Sequence, residues 1–496
     1  MARDTIRFLL DGRLVEVRDR APTTTVLQYL RENLHRTGTK EGCAEGDCGA
    51  CTVVLAEAQD GRLAYRAINA CIRFLPTLDG QALFTVESLK RRDGRLHPVQ
   101  QALVDYHGSQ CGFCTPGFVM SLFALYKSEP SPSRARIDDA LSGNLCRCTG
   151  YRPIIAAAEH MHGYGDAGDA EWLARPYGAA ETAEERALRQ RLEALRAADS
   201  LAYEYAGQRY FAPTSAPELA ALLAQYPDAC ILAGGTDVGL WVTKQHRDLP
   251  TLIHIGRVAE LHRLERGPGY LEIGAAVSLQ RAFAALMELY PQLTELCLRF
   301  ASPPIRNSGT LGGNIANGSP IGDSMPGLIA LGSRLLLNGS EGRRELALED
   351  YYLAYQKTAR RPGEFVESVR VPLPRPGWQF ATYKISKRFD QDISAVCGAF
   401  CLELRDGRIA AVRVAYGGMA ATPKRALHCE QALAGKPWSA ATVEAAAAAL
   451  AQDYQPISDM RASQDYRQRV AANLLHRFHL ETSDAGLPTR VVAYGR

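Results

Sequence analysis

Long hydrophobic runs are missing from this sequence. None approaches the ~18 apolar residues of a membrane-crossing helix, so no membrane association is expected. The opening Met1-Ala2-Arg3-Asp4-Thr5 lacks the apolar stretch of a secretory signal. An excess of charge of one sign is missing too: 57 Lys and Arg against 54 Asp and Glu leave +3. Over 496 residues that balance favours neither nucleic acid nor an anionic membrane surface as partner. Cysteine, in contrast, is plentiful at 13. With no signal peptide in view, so many thiols point to a reducing compartment and metal ligation, not a disulfide scaffold. The cytoplasm is the expected location. A chain of this length is too long for one core, and three or four domains are expected.

Eight of the cysteines fall into two sets of four. Cys43, Cys48 and Cys51 stand at C-x4-C-x2-C spacing, and Cys71 follows after a strand-length interval. That is the plant-type ferredoxin arrangement for a [2Fe–2S] cluster. A loop wrapping closely around sulfide needs small residues, and Gly42, Ala44, Gly46, Gly49 and Ala50 supply them. Zinc or buried free thiols are the competing readings, although zinc more often uses two short C-x2-C units. The second set is Cys111-x2-Cys114 and Cys146-x-Cys148. Alone it would suit zinc or a redox dithiol; beside the first it reads as a second cluster. Cys230, Cys297, Cys397, Cys401 and Cys429 are scattered and read as small hydrophobic residues.

Along the chain, Thr5–Leu10 and Arg13–Val17 are β-rich runs joined by Asp11-Gly12, a hairpin signal. Thr24 or Thr25 can cap a helix with Val26, Leu27, Leu30 and Leu34 on one face. Thr52–Leu55 and Leu63–Arg66 read as strands around a turn at Gln59-Asp60-Gly61. The whole is α+β and multidomain, opening with a β-grasp [2Fe–2S] ferredoxin domain over residues 1–88. Four helical stripes then predict a helical-bundle [2Fe–2S] domain over 89–163. In it Cys114 immediately precedes a helix start at Thr115-Pro116, where unpaired N–H groups would favour a thiolate. Residues 164–200 read as a linker with a solvated helix at Glu181–Ala198.

Two glycine-rich segments follow. Ile231, Leu232, Ala233, Gly234, Gly235, Thr236, Asp237 and Val238 form an apolar strand running into a Gly-Gly turn. Such a turn lets backbone N–H groups approach a pyrophosphate, although Gly-Gly-Thr-Asp is also an ordinary turn. Its spacing is not that of the dinucleotide fingerprint G-x-G-x-x-G. Phe300–Ile315 ends in a second such loop, Thr310-Leu311-Gly312-Gly313-Asn314. Two separated loops suit a dinucleotide held along its length. Pro372, Pro374 and Pro376 mark a boundary. Beyond it Gln379–Ser386, Ser394–Leu404 and Ile409–Tyr416 predict a meander, with helices at Ser439–Ala451 and Gln464–Phe478 packed on it.

The phrases Glu41–Cys51, Gln110–Gly117 and Gly143–Tyr151 resemble the iron–sulfur half of molybdenum hydroxylases, most nearly the small subunits of bacterial xanthine dehydrogenases. With the glycine-rich loops, the resemblance runs over nearly the whole chain. It implies a vanillyl-alcohol-oxidase-type FAD domain over 201–373 and a C-terminal flavoprotein α+β domain over 377–485. By the same resemblance the two glycine-rich loops hold the FAD pyrophosphate, and Asp323 bonds the ribose or adenine side. Phe300 lies near the isoalloxazine, and Val366 contacts flavin. The charged loop starting at Lys384 lies over the flavin and affects whether NAD+ reaches it. Two clusters and a flavin describe an electron conduit, because clusters pass single electrons, nicotinamide takes a hydride, and flavin works with either. The resemblance further implies a partner: a large subunit that alone carries molybdopterin and hydroxylates a purine, in an α2β2 heterotetramer, with NAD+ as acceptor. Partners oxidising an aldehyde or another N-heterocycle are alternatives within the class. A zinc-binding assembly protein is the alternative outside it. No residue stands out as catalytic.

Overall fold

The computed structural model describes residues 2–165, 171–197, 199–483, 487 and 489. Parts of the expected linker (166–170), the last residue of its helix, and residues 484–485 of the expected C-terminal domain lie outside the described residues. The chain divides into two compact units, Met1–Ala259 with Ala301–Gly309, and Glu260–Phe300 with Thr310–Arg496.

The first unit opens with Ile6–Leu10 paired antiparallel to Arg13–Val17. Asp11 and Gly12 both take left-handed backbone (φ +51° and +75°), the turn whose twist matches that of paired strands. Asp60 and Gly61 repeat the device between Thr52–Gln59 and Arg62–Asn69. Ala82–Phe84 completes a five-stranded sheet, lying parallel to Ile6–Leu10 and antiparallel to Thr52–Gln59. At three residues it is too short to show a period. The expected helix after Thr25 begins with a capping box between Thr25 and Gln28, then widens into a π turn at Tyr29–Asn33.

Four helices follow, Pro98–Asp105, Thr115–Tyr126, Arg134–Leu141 and Arg152–His160. They share one core with the sheet residues Val54, Ala56 and Phe84. Every residue from Gly117 to Tyr126 is buried, more than the expected stripe of Phe118, Leu122 and Leu125. This helix packs on both the sheet and its helical neighbours, and a helix enclosed on all sides is apolar all round. The later helix, Ala183–Arg196, is capped by Thr182 with Glu185 and buries only Leu188 and Leu192. A four-stranded sheet then runs in the order Leu201–Tyr205, Gln208–Ala212, Thr251–His254, Cys230–Leu232.

The second unit holds an antiparallel five-stranded sheet ordered Leu264–Gly267, Tyr270–Gly274, Phe365–Pro372, Arg334–Gly339, Gly342–Ala347. A second large sheet is the expected meander, Trp378–Ile385, Val396–Arg405 and Arg408–Gly417, with Lys424–Arg425 added. Phe400, Leu402, Val414 and Tyr416 face a core shared with helices Leu427–Leu433, Ala440–Asp453 and Gln464–Ser483. Among the described residues no helix is long and apolar enough to cross a membrane.

Candidate iron–sulfur and flavin sites

The first cysteine loop is built by backbone that few side chains tolerate. Ala44, Gly46 and Gly49 all lie in the left-handed region, at φ +53°, +79° and +70°. A Cβ at Gly42 would stand 2.8 Å from Cys48 Sγ, so the absence of a side chain there makes room at the sulfur. Cys51 and Cys71 are buried, while Cys43 and Cys48 are half-buried. The free thiols of Cys48 and Cys71 lie against that of Cys43, and Cys71 lies against Cys51. The Cys48 N–H reaches Cys43 Sγ at 3.4 Å, and Asn69 Nδ2 approaches Cys51 Sγ at 3.9 Å. These contacts split the acidities. Cys43 is held far below the thiol range, first by Cys48 and then by Cys71. Cys51 is lowered, first by Cys71, against its burial. Cys48 and Cys71 are pushed up, each first by Cys43.

The second set brings Cys111 against Cys148 and Cys114 against Cys146. Gly112, Gly150 and Tyr151 hold its turns with positive φ, and Tyr151 Oη accepts the Cys146 N–H at 3.1 Å. Burial acts to raise Cys146, yet its thiol is lowered, because the hydroxyl and N–H of Thr149 lead the opposing hydrogen bonds. Cys114 departs from the sequence expectation. Its thiol does not cap helix Thr115–Tyr126, and burial, followed by the Cys146 thiol, pushes it up to about 12. The helix start therefore does not make it the more acidic thiol expected from the sequence.

Among the described residues no three metal-ligating side chains close on a single ion position. The thiols fall instead into Cys43 with Cys48, Cys51 with Cys71, Cys111 with Cys148, and Cys114 with Cys146. Two irons that each take two thiolates require such a division, and the residues fit it.

The two cysteine loops touch through backbone. Leu145 N–H donates to the Cys48 carbonyl at 3.0 Å, so one hydrogen bond and one peptide unit separate Cys48 from Cys146. A Cβ on Gly49 would lie 2.1 Å from the Gly143 oxygen, and one on Gly117 would lie 2.2 Å from the Gly49 oxygen. Asn144, buried, donates to the Gly49 oxygen at 3.2 Å and accepts from Ser121 at 2.6 Å. Asn144 lies inside a motif already quoted, but nothing along the chain shows that it fastens one loop to the other.

The first glycine-rich loop sits against the first cysteine loop in the same unit. A Cβ on Gly239 would stand 2.5 Å from the oxygen of Ile72, next to Cys71, and Thr243 Oγ1 donates to the Ala44 carbonyl at 2.8 Å. Gly234 has no room for a Cβ, which would meet the Ser308 oxygen at 1.9 Å. Gly235 differs: its φ is +74°, but a Cβ would meet nothing nearer than 3.6 Å, so its requirement is conformational. Among the described residues the N–H groups of Gly234, Gly235 and Thr236 donate to no protein acceptor. Unused donors in a tight turn are what an anionic pyrophosphate would need. Ile231 lies in the preceding strand, and Val238 begins the following helix, Val238–Thr243.

Residues 303–308 are not loop: Pro303–Ser308 is helical. This helix packs on the cysteine domains, with Arg306 Nη2 on Asp139 at 2.6 Å and Asn307 Nδ2 on the Ala67 carbonyl at 3.0 Å. In the second unit, Thr310 caps helix Leu311–Asn317 by accepting from the Gly313 N–H at 2.9 Å, and Leu311 N–H goes to Val277. A Cβ on Gly312 would meet Ala275 Cα at 2.5 Å. This loop therefore has fewer unused donors than the first. Asp323 and Lys384 are brought together and are both buried. Lys384 Nζ reaches Asp323 Oδ2 at 2.5 Å, the Asp392 carbonyl at 2.7 Å and Ser394 Oγ at 3.0 Å, and Ser394 donates to Asp323 Oδ1. Phe300 meets Phe283 edge to face with centroids 5.2 Å apart. Val366 is buried in its strand opposite Leu337. Sequence reasoning also missed Arg299, buried, which donates to the Lys384 and Phe389 carbonyls and stacks on the Phe389 ring at 4.6 Å.

Four family models match the chain in order. A 2Fe-2S iron-sulfur cluster binding domain matches residues 8–74, and a [2Fe-2S] binding domain matches 85–159. The FAD binding domain in molybdopterin dehydrogenase matches 203–374, and the CO dehydrogenase flavoprotein C-terminal domain matches 381–482. Xanthine dehydrogenase/oxidase of Gallus gallus is 32% identical over 96% of this chain and 40% of its own length. Xanthine dehydrogenase of Emericella nidulans is 31% identical over 99% of this chain and 40% of its own. The chain thus spans about 40% of the length of these relatives. Among solved structures, a chain of carbon monoxide dehydrogenase from Hydrogenophaga pseudoflava is 30% identical with a TM-score of 0.52. The match covers 54% of this chain and 94% of that one. A chain of quinoline 2-oxidoreductase from Pseudomonas putida 86 is 29% identical with a TM-score of 0.50, covering 55% and 95%. With two [2Fe–2S] domains followed by an FAD-binding domain and a flavoprotein C-terminal domain, the chain belongs to the molybdenum hydroxylase family, as its iron–sulfur and FAD portion.

Proposed function

We propose that this chain draws electrons from a molybdopterin-bearing partner that oxidises a purine, and delivers them through two [2Fe–2S] clusters and FAD to NAD+. The observation that carries the proposal is the row of backbone contacts within one unit. Cys111 and Cys148 are exposed, and Phe113, Leu145 and Tyr151 leave apolar surface beside them, which suits the side that meets a partner. Leu145 links that set to Cys48, and Ile72 links Cys71 to the loop bearing the unused N–H groups. Bound clusters would supply one-electron steps, and FAD the change to a two-electron acceptor.

The chain's own residues then have defined tasks. The eight thiolates hold iron, and burial of Cys51 and Cys71 keeps water from the inner cluster. Gly234, Gly235 and Thr236 offer N–H groups to the pyrophosphate. Lys384 neutralises Asp323, and Lys384 and Ser394 together engage both of its carboxylate oxygens. A xanthine substrate is favoured by relatives aligned over nearly the whole chain. A cytoplasmic α2β2 assembly is the form proposed. Oxidation of another N-heterocycle is the second reading, favoured by the likeness to quinoline 2-oxidoreductase.

The test compares half-reactions. Under anaerobic conditions NADH should reduce the purified chain and support reduction of an artificial dye. Xanthine should leave it oxidised until the partner is added. Reduction by xanthine alone would refute the division of labour, and failure of NADH would remove it as acceptor. A second expectation concerns the flavin loop. With Gly234→Val, the clash at the Ser308 oxygen should weaken flavin binding about tenfold, equivalent to about 1.4 kcal/mol. Cluster absorbance should persist. Full flavin occupancy in that variant would mean the turn does not hold FAD.

A further inference from the structure

A cavity of about 310 Å³ opens in the second unit, between the end of helix Leu279–Leu289, the segment after Phe365–Pro372, and the meander. Its floor is Tyr290, Phe380 and Cys401, all buried, and its mouth carries the exposed Arg375. None of the residues assigned above to clusters or flavin lines it. The volume is at the lower end of the range for small-molecule sites, roughly 300–1,000 Å³.

The chemistry of the walls is one-sided. Tyr290 and Phe380 meet edge to face at 5.5 Å, and Trp378 adds a third aromatic surface. The Tyr290 hydroxyl is engaged by the Pro372 carbonyl at 2.7 Å. Burial pushes the Cys401 thiol up to about 12 and raises the Tyr290 phenol, so neither is charged at neutral pH. The lining includes no Asp or Glu and two arginines. Arg413 directs Nε and Nη2 to the Ile329 carbonyl, and Nη2 also reaches Glu349 at 2.6 Å. Arg375 has no acidic partner among the described residues, and its guanidinium stands over the Trp378 ring at 5.6 Å. A stacked guanidinium keeps its N–H edge free for a carboxylate fork.

We propose that this cavity is a second ligand site, which takes a small planar aromatic carboxylate. The ring lies among Tyr290, Phe380 and Trp378, and the carboxylate meets Arg375. A cationic ligand finds no counter-charge there, and a neutral one leaves Arg375 unmatched.

Calorimetric titration of the flavin- and cluster-loaded protein with 2-naphthoate tests this, with the neutral 2-naphthamide as isostere. The acid should bind about tenfold more tightly than the amide, as one partly exposed charge pair allows. Arg375→Glu, a change at an exposed position, should abolish the preference for the acid. Cys401→Phe fills the floor and should abolish binding of both. Should that variant fail to fold, Arg375→Glu decides alone. Equal affinity for acid and amide, no binding of 2-naphthoate, or an unchanged preference in Arg375→Glu would each overturn the proposal.

Discussion

Replacing Gly49 by alanine is expected to separate the two cysteine loops and to destabilise the first unit by about 2–4 kcal/mol. Two costs act together. The backbone at φ +70° disfavours any Cβ, by roughly 1–2 kcal/mol. The methyl group would also stand 2.1 Å from the Gly143 oxygen and 3.0 Å from Asn144 Cα. These two atoms are backbone and cannot rotate away; the Asn144 side-chain amide, 2.6 Å from the same position, would have to move as well. The loops must part, and the Leu145 to Cys48 hydrogen bond must stretch or break. Thermal unfolding followed by circular dichroism measures the loss. In any folded fraction, transfer of electrons between the clusters should slow more than reduction of the flavin by NADH. Gly61→Ala is the control, because Gly61 shares the positive φ (+74°) but has open space around it. If Gly49→Ala is no more harmful than Gly61→Ala, the close approach does not matter.

Cys71→Ala should remove one cluster and leave the other. Cys71 is buried and touches both Cys43 and Cys51, so its loss takes away the thiol that joins the two pairs. Iron should fall from about four to about two atoms per chain, as expected for losing one [2Fe–2S] unit. NADH should still reduce flavin, but reduction of the remaining cluster by NADH should be lost. That pattern follows from the order of contacts, in which the Cys71 side adjoins the flavin loop and the Cys48 side adjoins Cys146. Rapid-mixing absorbance separates the two signals. Undiminished reduction of the second cluster would show that electrons do not travel by way of the first.

Both predictions rest on features of different legibility. The ligand spacings, the Asp11-Gly12 and Asp60-Gly61 hairpins and the Thr182–Glu185 cap are local: each depends on residues within one loop or one helical turn. The chain alone therefore identified the two cysteine sets, the β-rich opening, the four helices and the meander. It also identified the glycine-rich loops, but did not distinguish what each glycine does. Gly235 needs its conformation and Gly234 needs its space, and only the Ser308 oxygen 1.9 Å away separates those two requirements. Cys114 shows the same limit. Its position before a helix is visible in the sequence, but its burial, which raises its pKa, is not.

The short strand Ala82–Phe84, the pairing of Lys384 with Asp323 and the clamp formed by Asn144 were decided only by tertiary structure. Each joins residues far apart in sequence: Lys384 and Asp323 by 61 positions, Asn144 and Gly49 by 95. The spacing of cysteines determines which metal group a loop can hold, because the ligands and the loop are one piece of chain. Which loop lies against which, and therefore where an electron can go next, depends on missing Cβ atoms at Gly49 and Gly117. A glycine reads the same in sequence whether it faces solvent or another backbone. Only the packed structure shows what occupies the space that its side chain would have filled.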